Sequence, residues 1–149
     1  MNLIEKIRQF NRFYMPYMHL LGEHYLGSEY SVPEARIFFE IYTNEGCNAA
    51  HIAQIMGIDK SYLSRIIRRH EKDGYIRREK AEEDGRSYRL FLTESGKARA
   101  ENFIRKSNRQ IDGTISHVSE EDRKKLSEAL DTVMQILKKG DEDNESRTV

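Results

Sequence analysis

The apolar positions of this chain fall into helical and strand-like periods that succeed one another in a definite order. Leu3, Ile7, Phe10, Tyr14, Tyr17 and Leu21 recur at intervals of 4, 3, 4, 3 and 4, a narrow heptad-like seam that wants a partner helix rather than a broad core. Pro16 interrupts it, removing a backbone donor and clashing with the preceding turn at about 3 kcal/mol, so a kink or break is expected there. Gly22, Gly27, Ser28 and Ser31 then mark a loose connection. After it, Ser31-Val32-Pro33-Glu34 has the form of a capping box with proline in the first turn. The helix it opens carries Ala35, Phe38, Ile41 and Tyr42 at spacings of three and four, and Thr43-Asn44-Glu45-Gly46 ends it.

Between Asn48 and Leu92 the pattern predicts a short helix, a tight turn, a second helix and a β-hairpin. Ile52, Ala53, Ile55 and Met56 mark one apolar face, and Gly57 can take the left-handed conformation that closes a helix. Asp59 is placed to cap the next helix, which starts at Lys60. At about 100° per residue, Leu63, Ile66, Ile67 and His70 fall on one side of it, and Ser61, Arg65, Arg68 and Lys72 on the other, flanked by Tyr62 and Arg69. Ile76, then Tyr88, Leu90 and Leu92, alternate as strands do around a polar tip from Ala81 to Arg86.

The last third reads as two helices. Thr93 caps the first, whose Ala100, Phe103, Ile104, Ile111, Ile115 and Val118 form a stripe expected to run through Val118. Ser119 caps the second, with Glu120, Glu121 and Asp122 in its first turn and Leu126, Leu130, Val133 and Leu137 at intervals of 4, 3 and 4. Lys138, Lys139 and Gly140 are expected to close it, leaving residues 140–149 as a mobile tail.

Composition sharpens this picture in only a few places. The 149 residues, 38% hydrophobic and 34% charged, suit one soluble helix-rich domain. No run of eighteen apolar residues occurs, and the N-terminus lacks the apolar block of a signal peptide, so a cytoplasmic protein without a membrane span is expected. Cys47 is the only cysteine, which excludes an intrachain disulfide or a cysteine-rich zinc site. His19, His24, His51, His70 and His117 are scattered, and there is no Gly-rich phosphate loop, Gly-x-Ser-x-Gly or metal motif. Neither an enzyme nor a metal or other cofactor is expected.

Charge is informative through its segregation. Basic and acidic side chains balance at 25 each over the whole chain. From Lys60 to Lys80, however, Lys60, Arg65, Arg68, Arg69, Lys72, Arg77, Arg78 and Lys80 face only Glu71, Asp73 and Glu79, a surplus of five positive charges. An isolated basic helix face is usually just solvated. Here the face follows a short Gly-containing turn and precedes a basic hairpin, as a helix-turn-helix that reads DNA would have it.

The motifs Ser64-Arg65, Gly74-Tyr75-Ile76-Arg77-Arg78, Asp84-Gly85-Arg86 and Leu92-Thr93-Glu94-Ser95-Gly96 occur in the order and spacing that resemble the MarR family of winged helix-turn-helix transcriptional regulators. The resemblance implies a mainly α fold with a small β-hairpin wing, in which residues 1–30 and 93–139 are dimerisation helices and 31–92 the DNA-binding lobe of one domain, 1–149. Ser61, Tyr62 and Arg65 are the best base-reading candidates, with Lys60, Arg68, Arg69, Arg77 and Arg78 on phosphates. Arg86 at the hairpin tip suits a minor groove, and Asp84 can hold its guanidinium; the resemblance assigns Arg86 that role. His70 departs from the family, which usually has an apolar residue there.

The terminal seams, Leu3, Ile7 and Phe10 together with Leu126, Leu130, Val133 and Leu137, imply a homodimer. Its two recognition helices would lie about 34 Å apart on palindromic double-stranded DNA. The family further implies a small aromatic or phenolic effector, for which Tyr14, Tyr17 and His19 are candidate contacts, although aromatic side chains on an apolar helix face more often belong to a core. The competing readings are a winged-helix protein-interaction module and a nonspecific DNA-binding protein.

Overall fold

The computed structural model describes residues 1–22, 30–81 and 87–145. Its elements are α1 (Leu3–Tyr17), α2 (Val32–Thr43), α3 (Ala49–Met56), α4 (Lys60–Lys72), β1 (Ile76–Lys80), β2 (Tyr88–Leu92), α5 (Glu94–Thr114) and α6 (Glu120–Glu145). The expected class, mainly α with one small hairpin, is what forms. The chain divides into two compact units, Met1–Asp112 and Gly113–Val149, which are described in turn.

In the first unit the core comes from α2, α3, α4, the hairpin and the first half of α5. Ile37, Phe38 and Ile41 of α2, Ile52 of α3, Leu63 and Ile67 of α4, and Leu90 of β2 are almost wholly withdrawn from solvent. At about 1.5–3 kcal/mol for each fully buried apolar side chain, this cluster dominates the lobe's stability. Phe38 sits at its centre, with its ring edge-on to His70, Tyr75 and Phe103.

The helix-turn-helix follows its sequence signals closely. Asn48 caps α3, Gly57 closes it at φ 63°, in the left-handed region where other residues are strained, and the Asp59 carboxylate accepts from the Tyr62 N–H at 3.1 Å to start α4. Leu63, Ile66, Ile67 and His70 are the buried residues of α4. Ile55 departs from its expected place on the packed face: α3 is only eight residues long, it buries Ile52 and Ala53, and Ile55 is left exposed.

The hairpin pairs antiparallel from Ile76 opposite Leu92 to Lys80 opposite Tyr88. Ile76, Leu90 and Leu92 face the core, while Tyr88, on the same alternation, is exposed. A third rung lies on the far edge of β2, where Gly46 N–H donates to the Leu90 carbonyl at 2.9 Å and Leu90 N–H to the Cys47 carbonyl at 2.8 Å. Thr93 joins the hairpin to α5: its hydroxyl donates to the Gly74 carbonyl at 2.6 Å and accepts from Gly96 N–H at 3.1 Å. Gly96 packs so tightly here that a Cβ would overlap the carbonyl oxygen of Tyr75.

Helix α1 is capped by a reciprocal Asn2–Glu5 box and buries no residue. Pro16 is accommodated one residue before the helix ends at Tyr17, so the expected break falls just past it and Leu21 lies outside the helix. The capping box expected at α2 is only half formed. The Ser31 hydroxyl accepts from Glu34 N–H at 3.3 Å, but the Glu34 carboxylate turns toward α4.

The helix expected to run through Val118 stops at Thr114, beside Gly113. In the second unit Arg123 explains how the chain stays in its turn: the guanidinium donates to the Ile115 and Val118 carbonyls at 2.9 and 3.0 Å, satisfying acceptors that a longer helix would have used. Ser119 then caps α6 through Asp122 N–H at 3.1 Å. Helix α6 passes through Gly140 to Glu145 rather than closing there, because an interior glycine weakens a helix by only about 1 kcal/mol. Leu126, Leu130, Val133 and Leu137 are all exposed, from 40% to 63%.

Candidate nucleic-acid interface

The burial of Leu63, Ile66, Ile67 and His70 fixes which side of α4 faces outward. Lys60, Ser61, Tyr62, Arg65, Arg68 and Arg69 are all exposed on that side. Lys60, Arg65 and Arg68 take part in no ion pair among the described residues, so three cations are presented without an internal counter-charge. Ser61, Tyr62 and Arg65 lie toward the N-terminal end, where a recognition helix meets base edges.

The remaining cations of the predicted set are engaged with the protein itself. Arg69 forms an ion pair and hydrogen bond with Glu34 of α2. Arg78 lies 4.7 Å over the Tyr88 ring and pairs with Glu71, with Nη2 3.3 Å from Oε1. Arg77 stacks 4.6 Å over the Phe91 ring on the other face of the hairpin and pairs with Glu79. These stacks hold the guanidiniums in fixed planes while leaving Arg77 half exposed. Asp84 and Arg86 lie outside the described residues.

Arg89 was not among the residues singled out by sequence. It shares the Phe91 ring with Arg77, its guanidinium carbon 5.7 Å from the centroid, and thereby adds a cation to the outer face of the wing. Strand alternation from the buried Leu90 was the signal that could have found it. Between α4 and the hairpin lies a cleft of about 280 Å³, lined by Lys60, Ser64, Arg68, Arg78 and Tyr88 among others. It opens beside the N-terminal turn of α3 and combines cations, a hydroxyl and a phenol, groups that hold phosphate oxygens.

The candidate effector contacts are placed differently. Tyr14 stacks on Phe10 at 5.0 Å and Tyr17 on Phe13 at 5.1 Å, both within α1, and His19 is exposed with φ 57°. Among the described residues no group of three or more His, Cys, Asp or Glu side chains is arranged to hold a metal ion. Cys47 is half-buried, and desolvation followed by the nearby Glu40 charge raises its thiol pKa. Burial lowers the pKa of His70 below its ordinary value of 6.5, against the opposing pull of Glu34.

Comparison with known proteins agrees with this architecture. Residues 29–87 match the model of the MarR family. An organic hydroperoxide resistance transcriptional regulator of Bacillus subtilis is 29% identical over 133 residues, covering 87% of this chain and 82% of that protein. The transcriptional regulator BilQ of Clostridium symbiosum is 30% identical over 92 residues, 60% of this chain and 64% of its own length. Among solved structures, a MarR transcriptional regulator of Methanosarcina mazei superposes with a TM-score of 0.75 at 24% identity, covering 88% of this chain and 98% of that one. Streptococcus pneumoniae FabT, crystallised in complex with DNA, gives 0.74 at 19% identity over 91% of this chain and 97% of its own.

Proposed function

We propose that the chain, whose residues 29–87 match the model of the MarR family, is a winged helix-turn-helix transcriptional regulator of that family and acts as a homodimeric repressor that binds a palindromic DNA site with sequence specificity. The observation that carries this reading is the outer face of α4. Its apolar side is locked into the core, and Lys60, Arg65 and Arg68 project from the opposite side with Ser61 and Tyr62. Ser61, Tyr62 and Arg65 read base edges in the major groove; Lys60 and Arg68 neutralise phosphates. The wing, with Arg77, Arg78, Arg89 and the tip residue Arg86, lies along the flanking backbone and minor groove.

Dimerisation uses the apolar faces that α1 and α6 leave uncovered, and two-fold symmetry spaces the two α4 helices for successive major grooves. A small aromatic or phenolic effector that favours one spacing of those helices releases the DNA. The site of action is the cytoplasm; no described helix is long and apolar enough to cross a membrane. Burial and the nearby Glu40 charge disfavour the thiolate at Cys47.

Selection of bound sequences from a random DNA pool, followed by titration of the winner and a scrambled control at two salt concentrations, tests the proposal. A palindrome preferred by at least about a thousandfold is the expected result. Equal, salt-sensitive binding to both would replace it with nonspecific DNA association, and no binding at either salt with a protein-interaction role.

A further inference from the structure

Glu34 occupies the third position of α2, where its carboxylate would ordinarily fold back on the helix cap. It reaches across to α4 instead. One oxygen pairs with Arg69 at the surface, and the other, Oε2, lies 3.6 Å from Nε2 of His70 inside the lobe. The Glu34 side chain is only 13% exposed and that of His70 1% exposed, so the inner contact operates largely out of water, while Arg69 at the outer one is half exposed. A carboxylate so withdrawn needs a partner, and the free N–H groups at the start of α2 favour its charge.

The groups facing His70 define what the inner contact does. Phe38 presents its ring 4.9 Å away, centroid to centroid, Tyr30 at 5.4 Å and Tyr75 at 6.3 Å. The charges acting on it are Glu34 from α2, Arg69 from α4 and Asp73 at the C-cap of α4. From α5, Arg99 lies over the Tyr30 and Tyr75 rings and donates to the Tyr75 hydroxyl at 2.6 Å. Neither nitrogen of His70 has a hydrogen-bond partner among the described residues, and the Glu34 carboxylate stands 3.6 Å from Nε2.

We propose that Glu34 is a positioning residue for DNA reading: it ties Arg69 and His70 to the first turn of α2 and thereby sets the pose of α4, with Arg69 held by the protein rather than by a phosphate. This rests on the DNA-binding function proposed above. The tie grips the C-terminal half of α4 and leaves Ser61, Tyr62 and Arg65 free. Arg69 stands eight residues beyond Ser61, about 12 Å along the helix axis, so a tilt of about 5° at the tie shifts the reading end by about 1 Å. That shift is enough to spoil a bidentate contact with a base edge.

The test measures operator affinity of the full-length protein across a salt series for wild type, Arg68→Ala, Arg69→Ala and Glu34→Gln. A lost phosphate contact lowers the slope of log K against log salt by about 0.9. Arg68→Ala is expected to show that drop. Arg69→Ala is expected to weaken operator binding with the wild-type slope, and Glu34→Gln, which removes no cation, to weaken it about tenfold while sparing scrambled DNA. A slope change in Arg69→Ala equal to that in Arg68→Ala, or wild-type operator affinity in Glu34→Gln, would overturn the proposal.

Titration of the His70 ring followed by NMR provides a second reading, because loss of the Glu34 charge moves its midpoint to lower pH whereas a purely steric defect does not. An unmoved midpoint would remove the inner contact. If wild type binds no DNA at all, the DNA-reading function fails separately. The tie is then judged by melting temperatures of the Glu34→Ala, Arg69→Ala and double variants: a double loss smaller than the sum supports it, and additive losses reject it.

Discussion

The DNA-reading lobe and the terminal helices spend their apolar residues in opposite ways. In the lobe Phe38, Ile37 and Ile52 are completely buried, and every element contributes to one cluster. Helix α1 buries nothing, and α6, with 26 residues, leaves Leu126, Leu130, Val133 and Leu137 open. The same heptad spacing that would close a coiled coil therefore lies exposed on this chain. The lobe is a folding unit; the terminal helices are the assembly unit proposed above.

Substitutions should separate these two roles. Phe38→Ala is expected to destabilise the lobe by about 4 kcal/mol in denaturant unfolding, since it opens a cavity where nothing can collapse. Gly96→Ala should follow at about 3 kcal/mol by driving a methyl group into the Tyr75 carbonyl, read as a lower melting temperature with α5 displaced from the hairpin. Leu130→Asp combined with Leu137→Asp should halve the mass seen by light scattering while the lobe keeps its near-UV spectrum; an undiminished mass would mean that assembly uses another face. Arg65→Ala should weaken operator binding by about 2 kcal/mol, near thirtyfold, without moving the melting temperature.

The smallest effect separates the two units by pH. His70 in the lobe has its pKa lowered by burial, so below its ordinary value of 6.5 the unfolded chain binds more protons than the folded one. The contribution is complete above pH 6.5 and is lost as pH falls through the folded value. His70→Phe should flatten that part of the stability profile. Dimer dissociation, followed by dilution across the same range, should not track it.

Much of the lobe was legible because its signals are local. Gly57 and Asp59 stand within three residues of each other and fix both the turn and the start of α4, and Leu63, Ile66, Ile67 and His70 repeat at one helical period. The ends of α5 and α6 were not, since apolar periodicity continues to Val118 although Arg123, from the next helix, satisfies the turn that stops it. The pairing of Glu34 with Arg69 spans 35 residues and leaves no trace in any periodicity. The Arg78–Tyr88 and Arg77–Phe91 stacks likewise depend on hairpin register, which is fixed only once the strands pair. Sequence named these arginines as cations, but not which of them were already occupied.

The third rung formed by Gly46 and Cys47 changes how safely the wing can exist in a crowded cell. With the far side of β2 bonded at Leu90, the edge of β1 is, among the described residues, the one this small sheet leaves open along its whole length. An open edge invites the strand of a neighbouring chain, the first step toward aggregation. Here the edge reads Ile76-Arg77-Arg78-Glu79-Lys80, so four consecutive charged side chains must be brought together before a second copy can add to it. The residues proposed to follow the nucleic-acid backbone thus also guard the sheet against its own kind.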